Sequence, residues 1–197
     1  MKGSSSQASF PFAACVLAGG LSRRMGRDKA SLEFGCSTLL EHQLATLREL
    51  QPEQLLVSTR PGADYGAIDP TVVYDRYPDC GPMAGIEAAL ANSSQPAVLV
   101  LAVDLPDMSA PFLRRLLQRA ASRGNGIVPK NGDYWEPLAA VYPRSLLPTF
   151  QASLQNQSYA LQAVLDKVAA QGKVEAYHLA RADRTLFRNI NFPQDLP

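Results

Sequence analysis

The sequence predicts an α/β fold, a mostly parallel sheet flanked by helices, and three observations lead there. Short apolar runs without polar alternation occur at residues 13–18 and 97–102, and a third, Leu55 to Val57, opens the segment 55–59. Runs of this kind read as strands covered on both faces. They alternate with segments whose leucines recur at helical spacing, the pattern of helices laid over a sheet. Finally, 197 residues, 46% of them hydrophobic and 19% charged, can bury a substantial core and suit one domain better than two.

Taken in order, residues 1–10 are Ser-rich and polar, with a single lysine and no apolar run. They read as a disordered leader rather than a signal peptide, leaving 11–197 as the domain. Residues 13–18 are the first strand. Thr38 or Ser37 then caps a helix carrying Leu39, Leu40, Leu44, Leu47 and Leu50, which ends before Pro52. The strand at 55–59 ends in the turn Arg60-Pro61-Gly62, and 71–74 is a third strand followed by Asp75 and a loop with Pro78, Gly81 and Pro82. Residues 83–91 read as a helix leading to the strand at 97–102. Asp104-Leu105-Pro106 follows at once, at the carboxyl end of a strand, where open α/β sheets place ligand chemistry. Ser109 caps a helix with Leu113, Leu116 and Leu117 on one face, closing near Gly124. The second half is less regular: strands at 126–128, 138–142 and 174–178, a turn at 131–133, helical stretches around 143–150 and 160–171, and a short terminal helix. The sum is a single-domain, three-layer, Rossmann-like sandwich.

Lys and Arg number 19 against 18 Asp and Glu, for a net charge of +1 and a pI near 7.7. Such a balance creates no global field for nucleic acid or an anionic membrane, so any preference for anions is local. Cys15, Cys36 and Cys80 are odd in number and widely spaced, and with no membrane-spanning run they suggest a reduced, cytoplasmic protein. His42, on the exposed side of its predicted helix, and His178 lack partners at catalytic spacing, and no hydrolase or zinc-protease motif is present.

The locality is supplied by Cys15-Val16-Leu17-Ala18-Gly19-Gly20-Leu21-Ser22-Arg23-Arg24-Met25-Gly26-Arg27-Asp28-Lys29. A strand breaks into two glycines, and from Arg23 to Lys29 four cations face one carboxylate. Glycines admit a ligand close to backbone amides, and arginine forks with a lysine point charge bind several phosphate oxygens. It is neither a Walker loop nor a dinucleotide fingerprint. Asp104 is the metal candidate, since one carboxylate beyond an apolar strand can hold Mg²⁺ that keeps waters and bridges phosphates; a turn-capping role is the alternative. Asp75, also just past a strand, is a second carboxylate that can accept hydrogen bonds from a ligand, or can simply start a turn.

Leu17-Ala18-Gly19-Gly20-x-Ser22-x-Arg24-Met25-Gly26-x-Asp28-Lys29 resembles the signature of the molybdenum cofactor guanylyltransferases. The resemblance implies a nucleotidyltransferase fold of the glycosyltransferase A-like type, with GTP bound by the N-terminal half and molybdopterin by the C-terminal half. It implies nucleotide contacts at Leu17, Ala18, Gly19, Gly20, Lys29, Asp75, Gly81, Pro82 and Asp104. Catalytic roles fall to Arg24, Lys29 and Asp104, and the metal to Asp104, as Mg²⁺ or alternatively Mn²⁺. Asn189 and Asn191 resemble the family's pterin-binding Asn-x-Asn, a capping turn before Pro193 being the alternative, with Arg181, Arg184 and Arg188 nearby for its phosphate. Ser58 stands where some members carry a nucleotide-contacting asparagine, which leaves its part open. Trp135 precedes a segment similar to the family's Pro-Leu strand entry, as a core or rim aromatic or as a pterin stacker.

The implied reaction joins GMP from GTP to the terminal phosphate of molybdopterin and releases pyrophosphate. A cytidylyltransferase on the same pterin, or a sugar- or alcohol-phosphate nucleotidyltransferase, is the alternative within the fold; a non-catalytic cofactor carrier is the alternative outside it. The implied partners are GTP, molybdopterin, cofactor-biosynthesis proteins and recipient molybdoenzymes or their chaperones, with no nucleic acid or membrane, for a monomeric protein.

Overall fold

A computed structural model describes residues 10–19, 29–66 and 68–190. Residues 1–9 of the leader, Gly20, Arg24, Asn191 and the expected terminal helix lie outside the described residues.

The chain begins with strand β1 (Ala13–Leu17), a small hairpin of β2 (Glu33–Phe34) and β3 (Ser37–Thr38), helix α1 (Leu39–Arg48), β4 (Gln54–Thr59) and β5 (Thr71–Tyr74). It continues through α2 (Pro82–Asn92), β6 (Ala97–Ala102), α3 (Ala110–Arg123), β7 (Gly126–Asn131), β8 (Tyr134–Trp135) and β9 (Ala139–Pro143). Helices α4 (Leu147–Gln155) and α5 (Leu161–Ala170), β10 (Val174–His178) and a 3-10 segment (Arg181–Phe187) follow. The large sheet runs β10-β7-β9-β6-β1-β4-β5, with β8 paired to β7. β6, β1, β4 and β5 are mutually parallel, as are β7 and β10; β9 runs antiparallel between the two groups.

The unalternating strands are buried on both faces for the reason the composition suggested. In β1, Ala14 and Val16 join the core under α1 and α3, while Ala13, Cys15 and Leu17 join the core under α2, α4 and α5. β6 divides the same way, Leu99 and Leu101 against Val98 and Val100. The result is a three-layer sandwich. Each fully buried aliphatic side chain contributes on the order of 1.5–3 kcal/mol.

Thr38, not Ser37, caps α1: its Oγ1 accepts from Glu41 N at 3.2 Å, and its own N–H donates to Glu41 Oε2 at 2.8 Å. This reciprocal box satisfies two orphan donors of the first turn. Ser109 occupies the N-cap of α3 but makes no capping bond with its side chain. Leu50 falls in the turn after α1, because the helix already ends at Arg48. The β2–β3 hairpin, β8 and the 3-10 segment have no counterpart among the expected elements; two-residue strands are too short to carry a period. His42 is not on an exposed face: its Nε2 lies 2.9 Å from Pro106 O and its ring centroid 4.8 Å from that of Phe34.

Candidate active site

A cleft of about 780 Å³ opens where β6, β1, β4 and β5 end. Parallel strands deliver all their carboxyl ends to one edge, and here short backbone bonds hold those ends together. Val103 N donates to Leu17 O at 3.1 Å, Ala18 N to Ser58 O at 2.8 Å and Asp75 N to Thr59 O at 2.9 Å. Across the edge the order is therefore Asp104 after β6, Ala18 and Gly19 after β1, Arg60 after β4 and Asp75 after β5. With strands about 4.8 Å apart, the edge spans about 14 Å from Asp104 to Asp75.

At the β6 end, Lys29 Nζ donates to Asp104 Oδ2 at 3.1 Å and to Ile190 O at 2.7 Å. The pair is largely covered, the side chains being 16% and 23% exposed. Ile190 N in turn donates to Asp104 O at 3.0 Å, so the C-terminal segment is fastened to the same aspartate. Asn189 is the exposed residue just before this attachment. Helix α1 holds the turn that carries Asp104 from behind: Gln43, fully buried, donates through Nε2 to Leu105 O at 2.7 Å and Ala102 O at 3.4 Å, beside the His42 contact to Pro106.

At the β5 end, Ser58 Oγ donates to Asp75 Oδ1 at 2.7 Å. Burial raises the Asp75 carboxyl above the ordinary range; the Ser58 bond lowers it, and the charge of Glu87 raises it further. Glu87 is fully buried, ion-paired with Arg76 and bonded by Gln151 Nε2 at 2.9 Å. Two glycines make room for the carboxylate. A Cβ on Gly19 would stand 2.9 Å from Asp75 Oδ2, and one on Gly85 would stand 3.2 Å from Ser58 Oγ. Leu17, Gly81 and Pro82 line the cleft between the two ends.

The fold thus brings Leu17, Ala18, Gly19, Lys29, Asp75, Gly81, Pro82 and Asp104 to one cleft. Trp135 does not line it. The indole is 4% exposed, donates through Nε1 to Asp166 Oδ1 at 2.8 Å and carries Lys130 Nζ 4.6 Å from its ring centroid. It is a fastened core aromatic, unavailable for stacking on a pterin. Arg188 donates to Asp107 Oδ2 at 2.8 Å. Among the described residues no group of three or more His, Cys, Asp or Glu side chains gathers to hold a metal. Gln43, Arg60 and the Ile190 carbonyl escaped the sequence reading. Gln43 had a signal, an amide inside a leucine stripe, and Arg60 had one in its place directly after a strand.

The MobA-like NTP transferase domain model matches residues 14–174. An Opitutus terrae protein named "probable molybdenum cofactor guanylyltransferase" is 36% identical over 186 residues, 93% of this chain and 92% of that protein. A Pseudomonas putida molybdenum cofactor guanylyltransferase is 31% identical over 188 residues, 94% and 96% of the two chains. In fold, the chain is similar to the crystal structure of molybdopterin-guanine dinucleotide biosynthesis protein A from Archaeoglobus fulgidus, with a TM-score of 0.77, 24% identity and coverage of 93% and 94%. It is also similar to 2-C-methyl-D-erythritol 4-phosphate cytidylyltransferase from Thermus thermophilus, with a TM-score of 0.68, 20% identity and coverage of 92% and 93%. By the extent of the model match and by its identity to full-length relatives, the chain belongs to the MobA-like NTP transferase domain family.

Proposed function

We propose that the protein is a molybdenum cofactor guanylyltransferase. An oxygen of the terminal phosphate of molybdopterin attacks the α-phosphorus of GTP; the bond from that phosphorus to the bridging oxygen breaks, and pyrophosphate leaves. The observation that carries this reading is the polarity of the cleft, with Lys29 and Asp104 at one end and Ser58 and Asp75 at the other, three strand spacings or about 14 Å away.

In this reading Asp75 accepts from the N1–H and amine of guanine, and Lys29 neutralises charge on the triphosphate and the departing pyrophosphate. Glycine-loop amides and Arg24 hold the phosphates. The protein's work is positioning and charge neutralisation, as in phosphoryl transfer generally. The donor nucleotide lies over the N-terminal strands. The acceptor approaches from the C-terminal half, where Asn189 adjoins the Ile190 attachment to Asp104, and Asn191 follows in sequence.

Asp104 suits Mg²⁺ or Mn²⁺. Its side chain keeps 23% exposure, and Lys29 occupies one oxygen. A single hard oxygen donor matches an ion that keeps several waters and takes phosphate oxygens as further ligands. When bound, the ion would add charge neutralisation and polarise the reacting phosphate.

The test is calorimetric binding of GTP, CTP, ATP and UTP with Mg²⁺, followed by pyrophosphate release with molybdopterin. GTP is expected to bind at least tenfold more tightly than the others and to turn over. Preference for CTP would transfer the protein to the cytidylyl branch, and absence of nucleotide binding would overturn the reading.

A further inference from the structure

Arg60 follows β4 and lines the cleft, is exposed, and makes no side-chain hydrogen bond or ion pair among the described residues. β4 and β5 pair in parallel with Thr59 opposite Tyr74, so Arg60 and Asp75 are the next residues on adjacent strands. A cation and a carboxylate one strand spacing apart would ordinarily neutralise each other, yet they form no ion pair. Asp75 leans on the Ser58 hydroxyl instead and is left with the unfavourable charge of Glu87. The backbone keeps the two residues in place, through Asp75 N to Thr59 O at 2.9 Å and the close packing of Gly19 against Arg60 N.

A ligand completing this arrangement presents donors to the carboxylate and acceptors to the guanidinium on neighbouring edges. Guanine does so: N1–H and the exocyclic amine lie beside O6 and N7, and arginine reads O6 and N7 through two parallel N–H bonds. Arg60 is one strand from Asp75 but two strands, about 10 Å, from the β6 end where the phosphates lie, so the base is the part within its reach.

We infer that Arg60 is a specificity-determining residue that binds the O6 and N7 edge of guanine while Asp75 binds its N1–H and amine edge. The inference rests on the guanylyltransferase reading and adds a base contact to it.

The experiment measures binding of GTP and 7-deaza-GTP to the wild type, Arg60→Ala and Arg60→Lys, with CTP on the wild type as reference. The wild type should bind 7-deaza-GTP roughly five- to tenfold more weakly than GTP. Arg60→Ala should lose about tenfold or more for GTP and no longer distinguish the two, since a bidentate pair supplies discrimination of that order. Arg60→Lys, a point charge without the fork, should recover only part of the loss. If Arg60→Ala keeps the 7-deaza penalty, or if the wild type shows none, Arg60 does not read this edge and the inference falls. If the wild type fails to prefer GTP over CTP, the guanylyltransferase reading falls first and takes the inference with it. Circular dichroism of each variant separates a lost contact from a lost fold.

Discussion

At the β6 end of the cleft two opposite charges satisfy each other, Lys29 Nζ standing 3.1 Å from Asp104 Oδ2 under the Ile190 carbonyl, whereas at the β5 end Asp75 rests on a hydroxyl, its pKa raised by burial and, less, by a second buried carboxylate, Glu87. The first arrangement is stable without ligand, and its groups are those that a polyphosphate and a divalent ion would take over. The second is a carboxylate held slightly against its preference, so that a hydrogen-bonding base improves its surroundings. On the proposed reading one end moves charge and the other recognises the base, and variants of each should fail differently.

The largest effect belongs to the charge-moving end. Lys29→Ala should lower kcat on the order of 10²-fold or more, because it removes stabilisation that grows as charge develops on the leaving group. Pyrophosphate release at saturating GTP checks this. A variant with normal kcat and collapsed GTP affinity would place Lys29 in recognition and erase the contrast. Gly19→Ala should strike the other end. The added Cβ falls 2.9 Å from Asp75 Oδ2 and 3.4 Å from Arg60 N. Overpacking of about 1–3 kcal/mol should weaken GTP binding about tenfold while kcat at saturation holds, as calorimetry beside steady-state kinetics would reveal.

Ser58→Ala should be milder at neutral pH, a few-fold in affinity, with the clearer signature in the pH profile. A protonated Asp75 cannot accept both guanine donors, so GTP affinity declines as pH falls through its pKa, already above the usual value near 3.8. Removing the hydroxyl that lowers this pKa moves the decline to higher pH. The sign for stability is opposite: with the folded pKa raised, the contribution of Asp75 favours the folded state at low pH and is lost as pH rises through the folded value. Nucleotide titrations from pH 4.5 to 8 test the shift, and an unmoved midpoint would detach Ser58 from recognition.

Much of this molecule was legible in the chain because its strands are unmixed. The apolar runs ending at Leu17, Thr59 and Ala102 announce buried parallel strands, and glycine, arginine or aspartate directly after such a run lands at the sheet edge by topology alone. Asp75 and Asp104 could be named as candidates on that basis, and Lys29 from the glycine- and arginine-rich loop that follows the first strand. Trp135 could not be assigned to core or rim, since an indole suits either until its N–H partner, Asp166 here, is known. His42 was misplaced because the hairpin of β2 and β3, invisible to periodicity, covers its helix face with Phe34. Gln43 and Arg60 went unread because their meaning lies in carbonyls and carboxylates far along the chain.

The sequence by itself determined the layer architecture, the family signature and the chemical kinds at the site, because hydrophobic periodicity and turn chemistry are local properties of the chain. Only the tertiary structure decided which groups meet: that Lys29 faces Asp104 across 75 positions, that Ser58 supports Asp75, and that Arg60 stands beside Asp75 without pairing to it. Those meetings depend on strand order and on register between distant segments, and neither is written in the residues of either partner.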